Sequence, residues 1–181
     1  FLWPLYSMAA AIAILLTVIG LMMVETSEPP KIAKVKTSLQ LDKGVAVLMN
    51  SLDAEWEDQV VDSGESLQPG RWKLLKGQVE MEFYSGASVV LEGPAELEIL
   101  SENGGILHSG KLSAQVPDHA HGFTITSADV KLVDLGTAFG MEVDKDKGTS
   151  VHVFEGEVEL FELAQQKNEG MKLYAGEAQQ I

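Results

Sequence analysis

Along Gln78-Val79-Glu80-Met81-Glu82-Phe83-Tyr84, apolar and polar residues alternate one for one. Val79, Met81 and Phe83 fall on one face and Glu80 and Glu82 on the other, the period of two that marks a strand buried on a single side. The same alternation returns at Leu97 and Ile99, at Leu112, Ala114 and Val116, at Phe123 and Ile125, at Val130 and Leu132, at Val151 and Val153, and at Val158 and Leu160. Pro69-Gly70, Ser85-Gly86, Gly93-Pro94, Asn103-Gly104-Gly105, Ser109-Gly110 and Lys147-Gly148 read as turns between these runs. From Gly44 onward no stretch holds a helical period, so residues 42–181 are expected to form an all-β domain of many short antiparallel strands.

A weak repeat overlies the alternation. A glycine precedes a strand at Gly44, Gly77, Gly110 and Gly156, the first three at equal steps of 33 residues. Equal steps of this size predict stacked, hairpin-like coils that form a two-layered antiparallel sheet of solenoid-like character.

The first 24 residues, FLWPLYSMAAAIAILLTVIGLMMV, carry no charge, and after Pro4 they provide the roughly 20 residues a helix needs to cross a bilayer core. Trp3 and Tyr6 sit where aromatic rings favour the interface, and Glu25 ends the run. The apolar stretch is longer than that of a cleaved secretory signal, and its alanines lie inside it. Residues 1–24 therefore read as one transmembrane helix, and residues 25–41, with Pro29-Pro30, as a linker. Lys31, Lys34 and Lys36 by themselves would favour a cytoplasmic C-terminal side. A chain that opens on Phe is expected to be a piece of a longer protein.

Composition narrows the function. With 27 acidic against 13 basic residues the formal charge is -14, which argues against nucleic acid as a partner. Without cysteine there is no disulfide framework and no thiolate ligand or nucleophile. Asp118, His119 and His121 have a spacing a metal could use, but Pro117 and Gly122 make the segment a loop and no third strong ligand is evident; it reads as a solvated loop, and neither a metal nor a cofactor is expected. Asp134-Leu135-Gly136-Thr137 is similar to the phosphate turn of actin-like ATPases, yet the chain lacks the length and helices of that α/β body. It also differs from the Asp-Thr/Ser-Gly turn of aspartic proteases, having Leu135 in the hydroxyl position and a single copy. Glu80 with Glu82, and Glu157 with Glu159, lie two apart on a strand face rather than across a cleft. No catalytic constellation emerges, and the chain reads as a non-enzyme.

Six blocks resemble one known family. Ser85-Gly86-Ala87-Ser88-Val89-Val90-Leu91-Glu92-Gly93-Pro94-Ala95 is similar to the strand pair of the FecR family that ends in Gly-Pro-Ala. Ser109 to Pro117 and Gly122-Phe123-Thr124-Ile125 resemble its next strands, and Val133-Asp134-Leu135-Gly136-Thr137-Ala138-Phe139-Gly140 its most recognisable block. Val151 to Val158, with Gly156, and Tyr174-Ala175-Gly176-Glu177-Ala178 complete the order. Gly-Pro-Ala together with Val116-Pro117-x-x-Ala120-x-Gly122-Phe123 resembles the planctomycete-type variant. Ala138 replaces the acidic residue usual after Asp-Leu-Gly-Thr, and Thr126-Ser127 stands where Thr-Pro is common. The resemblance implies a β-domain in the periplasm, held by a single pass through the cytoplasmic membrane, that regulates transcription through a sigma factor as an anti-sigma factor does, in the family's setting of iron transport regulation. The expected protein partner is a sigma factor or an envelope receptor. The alternative is an envelope-anchored β-module that binds a surface partner or glycan. Gly93, Pro94, Gly122, Phe123, Asp134, Leu135, Gly136, Thr137, Phe139 and Gly156 are the motif residues, expected to be structural: Leu135 and Phe139 in the core, Gly136 and Gly140 in backbone geometry closed to side chains, and Asp134 as an acceptor in the turn.

Overall fold

In a computed structural model that describes residues 44–165 and 169–181, the alternating runs become twelve strands of one sheet. They are β1 (Ala46–Trp56), β2 (Ser66–Leu67), β3 (Gly70–Phe83), β4 (Ser88–Ser101), β5 (Gly104–Gln115), β6 (Thr124–Thr126), β7 (Val130–Asp134), β8 (Ala138–Asp144), β9 (Gly148–Glu155), β10 (Glu157–Glu162), β11 (Met171–Tyr174) and β12 (Ala178–Gln180). The described residues contain no α-helix, only 3-10 turns at Asp118–Ala120 and Leu163–Gln165. The expected transmembrane helix and linker lie outside the described residues, and among those described no helix is long and apolar enough to cross a membrane.

The sheet forks at β5. Its residues 104–106 pair in parallel with β6, the one departure from antiparallel pairing among the described residues, while residues 110–115 pair with β8. One branch continues through β7, β10 and β11, the other through β9 and β12. The chain passes between branches three times, from β7 to β8, from β9 to β10 and from β11 to β12, with Gly136, Gly156 and Gly176 at the crossings. The sheet thus folds over itself. A front layer holds the later part of β3, the start of β4, the end of β5, and β8, β9 and β12. A back layer holds the remainder of β3, β4 and β5 with β6, β7, β10 and β11. Phe83 at the end of β3 meets Phe123 before β6 edge to face, with ring centroids 5.0 Å apart, although their strands are not neighbours in the sheet.

Gly93-Pro94 and Ser109-Gly110 do not end strands, as the turn signals suggested. They lie inside β4 and β5, where the pairing register shifts and the strands bend from front to back. Gly77 does the same within β3. Gly77 and Gly110 take φ of 84° and 96°, open to glycine and costly to other residues. A Cβ on Gly110 would also lie 2.5 Å from that of Ala95. The bends in β3 and β5 reverse the phase of burial, Leu74 giving way to Val79, Met81 and Phe83, and Leu107 to Leu112 and Ala114, whereas across Gly93-Pro94 in β4 the odd-numbered Leu91, Ala95 and Leu97 stay inward. The inward residues of both layers form one core. Of the four repeat glycines, Gly77, Gly110 and Gly156 mark passages between layers, whereas Gly44 precedes β1 without a positive φ.

Candidate functional site

Asp134 closes β7 with no exposed surface. Its Oδ2 accepts the N–H of Gly136 at 2.8 Å, its Oδ1 accepts the hydroxyl of Thr137, and its backbone exchanges bonds with Phe123 and Gly122 at 2.9 and 3.0 Å. Burial pushes its pKa up to about 6, against the opposing pull of the Gly136 N–H, the nearby His121 and the backbone N–H of Thr137. This is a carboxylate spent on holding a corner.

The neighbouring motif residues build the same corner. Gly136 takes φ of 95° with the His121 ring against it, and the backbone of Gly156 passes so close to the Gly136 carbonyl that Gly156 has no room for a side chain. The Leu135 N–H donates to Glu157 at 3.2 Å. Phe139 is fully buried, but Leu135 is not the core residue expected; it is 37% exposed because the corner turns it outward. Gly140 has no positive φ, so its value is space rather than conformation. Gly122, Phe123, Asp134, Leu135, Gly136, Thr137 and Gly156 gather at this end. Phe139 lies just beyond on β8, and Gly93 and Pro94 belong to the other bend, where Gly93 rides on the backbone of Lys76. Ser127 explains the missing proline: its N–H donates to Val130 at 2.7 Å, a bond proline could not make.

His119 and His121 cover different turns, the first lying against Gly86 and the second against Gly136. Asp118 Oδ1 is 3.8 Å from His121 Nε2. The described residues hold no cluster of three or more potential metal ligands.

Sequence reasoning missed the outward face of the front layer. In the pairing of β8 with β9, the register slips between Ala138 and Phe139 and leaves Phe154 without a partner; Phe154 keeps the outward phase of His152, at 62% exposure, and the slip turns Glu155 outward beside it. A bulge of this kind re-aims a side chain. The ring of Phe154 hangs over Gly140, 3.1 Å from where a Cβ would sit, beside a hollow of ≈ 200 Å³. The available signal was Phe154-Glu155 itself, two outward residues in succession after Val151 and Val153.

Fold and corners together define an all-β scaffold domain whose marked residues hold its bends. Residues 74–159 match the family described as FecR protein, from Leu74 in β3 to Glu159 in β10. A FecR segment therefore occupies that part of the chain, and the closing Tyr174 to Ala178 block lies beyond it. Two solved structures are similar, each of a protein described as a candidate anti-sigma factor from Parabacteroides distasonis ATCC 8503. One has 16% identity and a TM-score of 0.49, covering 60% of this chain and 52% of that one. The other has 16% identity and a TM-score of 0.45, covering 74% of this chain and 52% of that one. The chain spans about half the length of either. No curated protein matches it.

Proposed function

We propose that this chain is a non-catalytic regulatory domain of the FecR kind that controls a sigma factor, and that a single apolar helix at residues 1–24 holds it in the cytoplasmic membrane with the β-domain in the periplasm. The FecR match over residues 74–159 carries this reading. The uncharged run to Val24 supports the anchor, being long enough to span the hydrocarbon. The orientation follows the family resemblance. A rigid β-domain with its motif residues committed to bends suits a role in contact and transmission rather than turnover.

Transcript profiling of the native host with and without the gene tests the regulatory claim. The expected result is a change confined to promoters that share one sigma-factor recognition sequence; an unchanged transcriptome, or scattered changes with no common promoter, refutes it. Fusions after Ile181 test the placement separately: alkaline phosphatase should be active there and a cytoplasm-dependent fluorescent protein dark.

A further inference from the structure

The front layer's outward face has an apolar centre. Across β4, β5, β8 and β9, the residues Val90, Ser113, Gly140 and His152 stand opposite one another in register, a row of mostly small side chains. Phe154, outward and unpaired at the bulge, overhangs this row and walls the hollow of ≈ 200 Å³. An exposed ring above a glycine floor is what a docking surface offers, since an aromatic anchor site needs both apolar area and room. The next row runs Glu92, Lys111 and Glu142 on adjacent strands, one ammonium between two carboxylates. On the opposite side, Glu82 and Glu155 stand in the row that contains Ser88 and Ala138. The rim thus sets four exposed carboxylates against one cation.

We infer that this hollow is the docking site for an arginine- or lysine-bearing segment of a protein partner, with the cation lying between Phe154 and the carboxylates of Glu92 and Glu142 and its apolar flank on Val90. Charge complementarity selects this occupant. The rim repels anionic lipid and nucleic acid, and an uncharged glycan would leave its carboxylates unanswered. A guanidinium over a ring gains from both ring and rim. The inference concerns which surface meets a partner and of what chemistry, and it stands whether or not a sigma factor is the eventual target.

The test is calorimetric titration of the full chain, in uncharged detergent, with a blocked peptide alternating arginine and valine; the same-length glutamate–valine peptide and maltohexaose are separate arms. Heat is expected with the arginine peptide alone. Because a chain of charge -14 attracts any cation, the deciding comparison is between charge-matched variants. Glu92→Gln/Glu142→Gln and Phe154→Ala should each raise the dissociation constant about fivefold or more, the scale of a cation–aromatic contact. Gly140→Val should act likewise by filling the hollow. Glu96→Gln/Glu98→Gln on the back layer should leave it unchanged. Circular dichroism checks that each variant keeps its β spectrum, and Phe154, being exposed, keeps the test open if Gly140→Val does not fold. The inference is overturned by no heat with the arginine peptide, by equal weakening from both glutamate pairs, or by Phe154→Ala binding as well as the parent. Maltohexaose binding abolished by Phe154→Ala would replace it with a glycan site.

Discussion

The outward faces of the two layers share strands β3, β4 and β5, yet they treat charge differently. On the back layer Arg71 reaches Glu96 at 3.0 Å and Glu98 at 3.3 Å, and His108 meets Glu98 at 2.8 Å. Nearby, Lys73 pairs with Glu57 and Lys76 with Glu55. The front layer has no ion pair at Glu82, Glu92, Glu142 or Glu155 among the described residues, and it displays an aromatic ring instead. Both faces are polar by the same alternation. One satisfies its charges within the chain, and the other leaves them, with Phe154, facing outward.

The sharpest way to break this comparison is to remove the two phenylalanines of the β8–β9 pair. Phe139 is wholly buried, and Phe139→Ala should destabilise the domain by roughly 3–5 kcal/mol, the transfer loss plus the cavity left behind. Phe154→Ala should change stability by no more than about 0.5 kcal/mol, as surface substitutions do. Urea denaturation gives both values. A large loss at Phe154 would make its ring part of the scaffold, and the front face would no longer be a surface held in reserve.

The next effect tests whether the Asp134 corner is as dry as its geometry requires. Its carboxyl has an ordinary value of 3.8 and a folded value of about 6. A group raised in this way holds its proton longer when folded, so its stabilisation is full below the lower value and is lost as pH rises through the upper one. A rise of about two units corresponds to about 3 kcal/mol lost between pH 4 and pH 7. Other carboxyls titrate in this range, so the measure is the difference between the parent and Asp134→Asn, which keeps an acceptor for Gly136 and does not titrate. The variant should lack this fall. Parallel pH–stability curves would place water beside the carboxylate.

Which parts of this were legible in the sequence follows from what sets each feature. Burial along a strand depends only on neighbours two residues away, so Val79, Met81 and Phe83 or Val158 and Leu160 could be assigned from alternation alone. Two of the bends were visible too, as Gly77 and Gly110 standing where the apolar phase switches between odd and even, but a glycine inside a strand and a glycine ending one look alike locally. Gly93-Pro94 and Ser109-Gly110 read as strand ends for that reason, whereas β4 and β5 run through them. Asp134 read correctly as an acceptor, whereas its complete burial and the exposure of Leu135 depend on β10 arriving at the same corner from more than twenty residues away. The hollow depends on which strands meet: Phe154-Glu155 marks an irregularity in β9, but the slip against β8 and the glycine floor beneath the ring exist only once the two strands pair.

The smallest effect is the most telling, because its sign should differ between the faces. Glu98→Gln removes the partner of Arg71 and His108, whose contacts hold that carboxyl below the ordinary value, His108 first. Its contribution is present at neutral pH and lost as acid protonates it, so the neutral variant should melt lower than the parent at pH 7. Glu142→Gln removes a carboxylate from a chain of charge -14 on a face where four carboxylates meet one lysine, so relief of repulsion should make it melt slightly higher. Both shifts should shrink as salt is raised, since salt screens interactions between charges that solvent reaches, the long-range repulsion at Glu142 more than the close contacts at Glu98. Scanning calorimetry at low and high salt reads the two signs directly. If both variants melt lower by similar amounts, Glu142 has a partner within the chain, and the two faces are alike in how they settle their charge.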